Sequence, residues 1–242
     1  MIKSYADIQG WCNFENFYRF VVERFKNEKN VRFCEVGCWL GRSVCFWAEE
    51  SIRTKLDCKI YAIDTFRGEP TCEFQKKVVK ENGGSIFQNF KQNVFDLNLQ
   101  EVIIPIIGTS KEAAEILPRY KFDCIFIDGN HEYLHVKEDL EIFYPFLYEK
   151  TGLLAGHDWG SPEVAGAVIE FAEKNDLVVI LGGGAWCLVK SEFVYFPKDY
   201  IFKQFNHPPG YINNRIHALT DNDMFMYNLF VIDSEKCSIK FI

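Results

Sequence analysis

Residues 122–140 read FDCIFIDGNHEYLHVKEDL. HEYLH, at 131–135, has the letters of the H-E-x-x-H zinc peptidase signature, in which two histidines one helical turn apart hold the metal and the glutamate serves as base. That reading needs one established helix under both histidines. The surrounding residues divide differently. FDCIFIDG is an apolar run without polar alternation, as expected for a strand covered on both faces, and YLHVKEDLEIFYPFL follows with helical periodicity. His131 is then separated from the strand only by Asn130 and stands at the strand-to-helix turn, outside the helix. No H-x-x-G-x-x-H continuation supplies a third ligand, and Glu138, Glu141 and Glu149 lie on or at the end of the same helix. The letters GNHE also occur in metal-dependent phosphoesterases, but the D-x-H and G-D-x-x-D motifs those enzymes need upstream are missing. The stretch is therefore read as strand, turn and helix, with Asp128 and His131 at the strand's carboxyl end.

The same alternation runs along the chain. VRFCEVGC (31–38), KIYAIDTF (59–66), EVIIPIIG (101–108), TGLLAGHDW (151–159), DLVVILG (176–182) and AWCLVK (185–190) look like further short buried strands. GRSVCFWAEESIR, KEAAEILPRY and SPEVAGAVIEFAEKN supply helical patterns between them. A β-α-β-α succession predicts an α/β fold: a Rossmann-like, doubly wound sheet of about seven strands, mostly parallel. Residues 13–26 add an N-terminal helix. Residues 67–100 exceed an ordinary crossover and are broken by ENGGS, so one or two helices with a loop are expected. The domain reading is 1–190, with its core at 31–190, followed by an irregular, aromatic appendage at 191–242 around HPPGYINN, a lid or an oligomer contact.

Composition narrows the functional classes. With 242 residues, 48% of them hydrophobic, one principal core is expected, and the formal net charge of −7 argues against nucleic acid or an anionic membrane surface. A neutral or cationic small molecule fits better. Nine cysteines with no CxxC pair, and an N-terminus without a signal-peptide pattern, predict reduced thiols in the cytoplasm. No apolar run is long enough to predict membrane insertion.

In open α/β sheets ligands bind outside the carboxyl ends of the strands. Here those ends carry Glu35 and Gly37, Asp64, Gly108 to Ser110, Asp128 with His131, and His157 with Asp158. One such aspartate could be a helix cap; recurrence at five successive ends is harder to assign to capping. A dinucleotide turn wants G-x-G-x-x-G, but Trp39 occupies the place of the second glycine, which opposes close approach of a pyrophosphate. S-adenosylmethionine, without phosphate, asks only for a tight turn with small residues, and Asp64 on the next strand can accept both ribose hydroxyls.

Taken in order, EVGCWLGRS, IYAIDTFRG, IIGTSKEAA, FIDGNHEY, VKEDL, GLLAGHDW and EVAGAVIEF resemble the class I S-adenosylmethionine-dependent methyltransferases. They resemble in particular the metal-dependent O-methyltransferase branch that includes macrocin-type sugar methyltransferases. The resemblance runs from about Val31 to Lys190. It implies that Glu35, Gly37, Gly41 and Ser43 line the methionine end of the cofactor, that Asp64 with Thr65 holds the ribose, and that Thr109 and Ser110 border the adenine. Asp128 falls at the cofactor's edge. Asp128 and Asp158 match metal-binding positions, His157 is the further metal candidate between them, and His131 matches the general base. Position 157 departs from the acidic residue that the branch carries there. Oxygen ligands favour Mg²⁺, the first expectation, whereas an imidazole at 157 would tilt the site toward Mn²⁺ or a later transition metal.

The expected function is thus metal-assisted O-methylation of a small-molecule hydroxyl, on a sugar, a nucleotide sugar or another acceptor, by a chain that could form a homo-oligomer. The competing readings are a metal-independent methyltransferase with another acceptor, or a catalytically silent Rossmann-like binding protein. Trp159, Trp186 and Tyr133 read first as packing residues, Cys38 and Cys124 as apolar filler, Arg67 and Glu69 as surface, and His135 as exposed or supporting.

Overall fold

All seven apolar runs form strands: β1 (Val31–Val36), β2 (Cys58–Asp64), β3 (Ile103–Ile107), β4 (Cys124–Ile127), β5 (Leu153–Gly156), β6 (Leu177–Gly182) and β7 (Ala185–Lys190). The computed structural model describes residues 2–117, 121–182 and 184–190, and beyond these only the short strands at 194–195, 216–218, 231–233 and 238–240. The strands lie in the order β3-β2-β1-β4-β5-β7-β6. Neighbours from β3 to β5 are parallel, while β7 runs antiparallel to both β5 and β6. The short β6–β7 connection forces that reversal, because a parallel return would need a crossover of a dozen or more residues. Strand addition changes direction between β1 and β4, which makes their carboxyl ends the topological switch point.

Alternation along β1 assigns each side chain to a layer. Phe33 packs in one apolar cluster with α1 (Glu15–Phe25), α2 (Arg42–Arg53) and α4 (Phe87–Asp96), while Cys34 and Val36 pack in the other with α6 (Tyr133–Phe143) and α7 (Pro162–Lys174). Trp47 of α2 is stacked between Tyr18 and Phe33, with ring centroids 4.0 and 4.7 Å away. Burying each of these rings contributes about 1.5–3 kcal/mol. The N-terminal helix is thereby part of the core, and it brings Phe14 and Tyr18 beside the end of the sheet.

As expected from ENGGS, residues 67–100 hold two helices, α3 (Glu73–Glu81) and α4, separated at Gly83 and Gly84, whose φ values of +73° and +95° break helical continuity. One element differs from expectation for a local reason. The helix expected to reach Tyr120 is α5 (Ser110–Ile116); Leu117 turns to ψ 139°, as the residue before a proline is biased to do. A short β9 (Ile216–Ala218) pairs in parallel with the outer side of β6, so this part of the expected appendage extends the main sheet. The segments β8 (Val194–Tyr195), β10 (Val231–Asp233) and β11 (Ser238–Lys240) form a separate sheet. HPPGYINN, and with it the lid or oligomer contact expected there, lies outside the described residues. Every cysteine among the described residues is free, and no described helix is long and apolar enough to cross a membrane.

Candidate active site

At the switch point the β1–α2 turn and the end of β4 touch. Gly37 donates its N–H to Ile63 O at 2.8 Å, and Asp128 donates its own to Val36 O at 2.8 Å. Gly37 has φ +91°, and a Cβ there would stand 2.0 Å from the carbonyl oxygen of Asp128. Only glycine fits. The next turn residue, Trp39, adopts φ +48° and donates its backbone N–H to Asp64 Oδ2 at 2.7 Å. Phe66 N–H donates to Asp64 Oδ1 at 2.6 Å. Asp64 thus ties the loops after β1 and β2 together, with a further backbone donor from Cys38 and acceptor capacity left on the carboxylate. Burial raises its pKa against these N–H donors. The Trp39 ring is held by its indole N–H to Gln9 Oε1 at 2.7 Å. The Trp39 backbone donor is therefore spent on a carboxylate.

Glu35 sits below this turn with no solvent exposure. Its oxygens accept from Tyr18 Oη at 2.7 Å and from Ser43 Oγ at 2.5 Å. Both oxygens are thus taken up by hydroxyls inside the core. Burial pushes its pKa up to about 8, against the two hydroxyl donors and with help from Asp128 and Asp64. A carboxyl raised in the folded state favours the protonated native form. Its stabilising share is complete below the unfolded value and is lost as pH rises through the folded one. Glu35→Gln is accordingly expected to gain stability relative to wild type by roughly 2–4 kcal/mol between pH 5.5 and pH 8. Urea denaturation at the two pH values measures it; a constant difference between the proteins would remove Glu35 as the source.

Across the turn four side chains converge. Asp128, His157 and Asp158 each offer one ligand atom, all within 4.8 Å of one another. Nδ1 of His157 lies 3.4 Å from Asp128 Oδ1 and 3.0 Å from Asp158 Oδ2. His131 stands on the flank, its Nε2 2.8 Å from Asp158 Oδ2 and 3.8 Å from Asp128 Oδ1. That nitrogen is buried and faces both carboxylates. Asp158 is held at φ +57°, a strained conformation for a non-glycine residue, of the kind that clusters at functional sites. Asp128 and Asp158 raise the pKa of His131 to about 10. Burial pulls His157 down, but the same two carboxylates outweigh it and raise its pKa to about 9. Burial also acts on Asp158, yet the two imidazoles hold it well below the usual carboxylate range.

The peptidase geometry is absent. Glu132 caps α6 and His131 precedes it, so the two histidines do not share a helical face. His135 pairs instead with Glu132, Nδ1 to Oε2 at 3.3 Å, with 54% of its side chain exposed. Thr109 and Glu112 form a reciprocal capping box that starts α5, a T-x-x-E signal present in the sequence. Ser110 bonds to Asp139, which is buried on α6 with its pKa raised to about 6 by desolvation. Thr65 Oγ1 accepts the Arg67 N–H at 3.3 Å. Trp186 is core, as its type suggested, but its indole N–H donates to His157 O at 2.7 Å. Sequence reasoning missed Tyr18, Phe14 and Asp139; only for Asp139, an acid on the inward face of VKEDL, was there a periodic signal.

A sheet of this order with β7 reversed, a glycine turn after β1 and a carboxylate ending β2 defines the class I S-adenosylmethionine-dependent methyltransferases. A family model described as a methyltransferase domain, Methyltransf_24, matches residues 34–159, and the chain belongs to that family. It is an S-adenosylmethionine-dependent methyltransferase. Among solved structures it is similar to the O-methyltransferase NovP, at 19% identity and TM-score 0.58 over 74% of this chain and 79% of that one. It is also similar to a putative caffeoyl-CoA O-methyltransferase from Staphylococcus aureus, at 17% identity and TM-score 0.52 over 76% of this chain and 85% of that one. No curated protein matches the sequence.

Proposed function

We propose that the chain transfers the methyl group of S-adenosylmethionine to a hydroxyl of a small molecule that carries two neighbouring oxygens, such as a sugar or a catechol-like ring. The carrying observation is the Asp128–His157–Asp158 donor set beside the cofactor turn, with His131 on its flank. A divalent cation fits this set of two carboxylates and one imidazole, and S-adenosylmethionine fits the glycine turn and Asp64. The cofactor supplies an electrophilic methyl group. A cation on these carboxylates, when bound, takes up the charge that keeps both imidazoles protonated and lowers the pKa of a nearby hydroxyl. In this reading Asp64 holds the ribose, the Gly37 turn admits the methionine end, and Asp128 stands where cofactor and acceptor meet. His131 Nε2, held 2.8 Å from Asp158 Oδ2 on the flank of the set, takes the acceptor's proton as the methyl group is transferred. Both similar solved folds are O-methyltransferases by name, which supports oxygen as the acceptor atom.

The test is methyl transfer to a panel of nucleotide sugars, glycans and phenols, each with and without a chelator. Turnover on a vicinal diol or catechol that chelation abolishes is the expected result. Turnover indifferent to chelation would return the chain to a metal-independent reaction.

A further inference from the structure

We propose that the Asp128–His157–Asp158 site selects a first-row transition ion, from Mn²⁺ to Zn²⁺, over Mg²⁺, and that the imidazole of His157 decides this. The inference rests on the metal-site reading above and specifies which ion it takes. Three carboxylates would make a hard, all-oxygen site. One imidazole in their place removes a negative charge, on which Mg²⁺ depends, and offers a nitrogen that borderline ions accept readily.

The fold commits that imidazole to the site. His157 N–H donates to Ile127 O at 3.1 Å, and its carbonyl accepts from the Trp186 indole at 2.7 Å, so its backbone is clamped on both sides. The preceding Gly156 lies so close to Trp186 and to Ile127 O that a Cβ there would meet both at 2.3 Å. The ring packs on Phe14, with centroids 4.9 Å apart, and only 16% of the side chain is exposed. In this setting Nδ1 is aimed at Oδ1 of Asp128 and Oδ2 of Asp158. Asp158, in its left-handed backbone conformation, turns its carboxylate back toward the same point. Phe14 reaches His157 from the N-terminal segment, so the metal preference is built by packing outside the ligand strands.

The experiment uses the full chain stripped of metal. Calorimetry gives the affinities for Mg²⁺ and Co²⁺, and pulsed electron paramagnetic resonance of bound Mn²⁺ reads nitrogen coupling directly. Wild type is expected to prefer Co²⁺ and to show the nitrogen coupling. His157→Asn, which keeps the charge and replaces the donor, and His157→Asp should each narrow the Co²⁺ to Mg²⁺ preference by about tenfold or more and weaken the coupling. An unchanged preference in both variants, or a wild-type spectrum without nitrogen coupling, overturns the inference while leaving a metal-assisted reaction standing. If no divalent ion binds and methyl transfer ignores chelators, the functional reading falls and this inference with it.

Discussion

Replacing His131 by alanine is expected to lower methyl transfer by about two to four orders of magnitude, the usual contribution of a positioned general base. Affinity for S-adenosylmethionine should stay nearly unchanged, because the cofactor turn is held by Gly37, Trp39 and Asp64, none of which bonds to His131. The loss should therefore fall on kcat. His135→Ala and Glu132→Gln provide the control, since those two side chains pair with each other on an exposed surface. They should remain within about tenfold of wild type, whereas Asp128→Asn or Asp158→Asn should remove activity together with its response to added divalent ion. Steady-state kinetics and cofactor calorimetry on the five single variants decide the matter. Equal losses at both histidines, accompanied by loss of bound zinc, would favour a peptidase-like site and refute the assignment of His131.

The other large effect belongs to the backbone. Gly37→Ala is expected to destabilise the protein by more than about 4 kcal/mol, a range reached by few single substitutions. Two penalties coincide there. A left-handed φ costs an alanine about 1–2 kcal/mol, and its Cβ would stand 2.0 Å from the Asp128 carbonyl, backbone that cannot rotate aside. Relief requires parting β1 from β4, whose hydrogen bonds end at this point. Gly83→Ala isolates the first penalty: its φ is +73°, yet nothing lies within 4 Å of the added carbon, so about 1–2 kcal/mol is expected. Urea unfolding of the two variants measures both. A Gly37→Ala protein as stable as Gly83→Ala would mean that the turn and β4 are not packed this closely.

The alternation of apolar runs and amphipathic stretches was enough to predict seven strands, a doubly wound sheet and a ligand at the strand ends, because burial on both faces writes itself into a run such as VRFCEV. Glycines at 37 and 41 and the carboxyls at 64, 128 and 158 were legible for the same reason: they stand at fixed distances from strands whose ends the sequence marks. What the sequence did not carry was which strand lies beside which, since hydrogen bonding between strands leaves no trace in either chain's composition. The contacts that shape the site follow from that neighbourhood. Tyr18 reaches Glu35 from an N-terminal helix whose packing no local pattern specifies. Phe14 meets His157 across 143 positions of chain. Asp64, read from the sequence as a candidate ribose ligand, is also the pin for Trp39 because β2 lies next to β1. The sequence by itself determined the elements, their layers and the chemical groups at their ends. Tertiary structure alone decided that His131 and His157 face the same two carboxylates, because that outcome depends on β4 and β5 being neighbours.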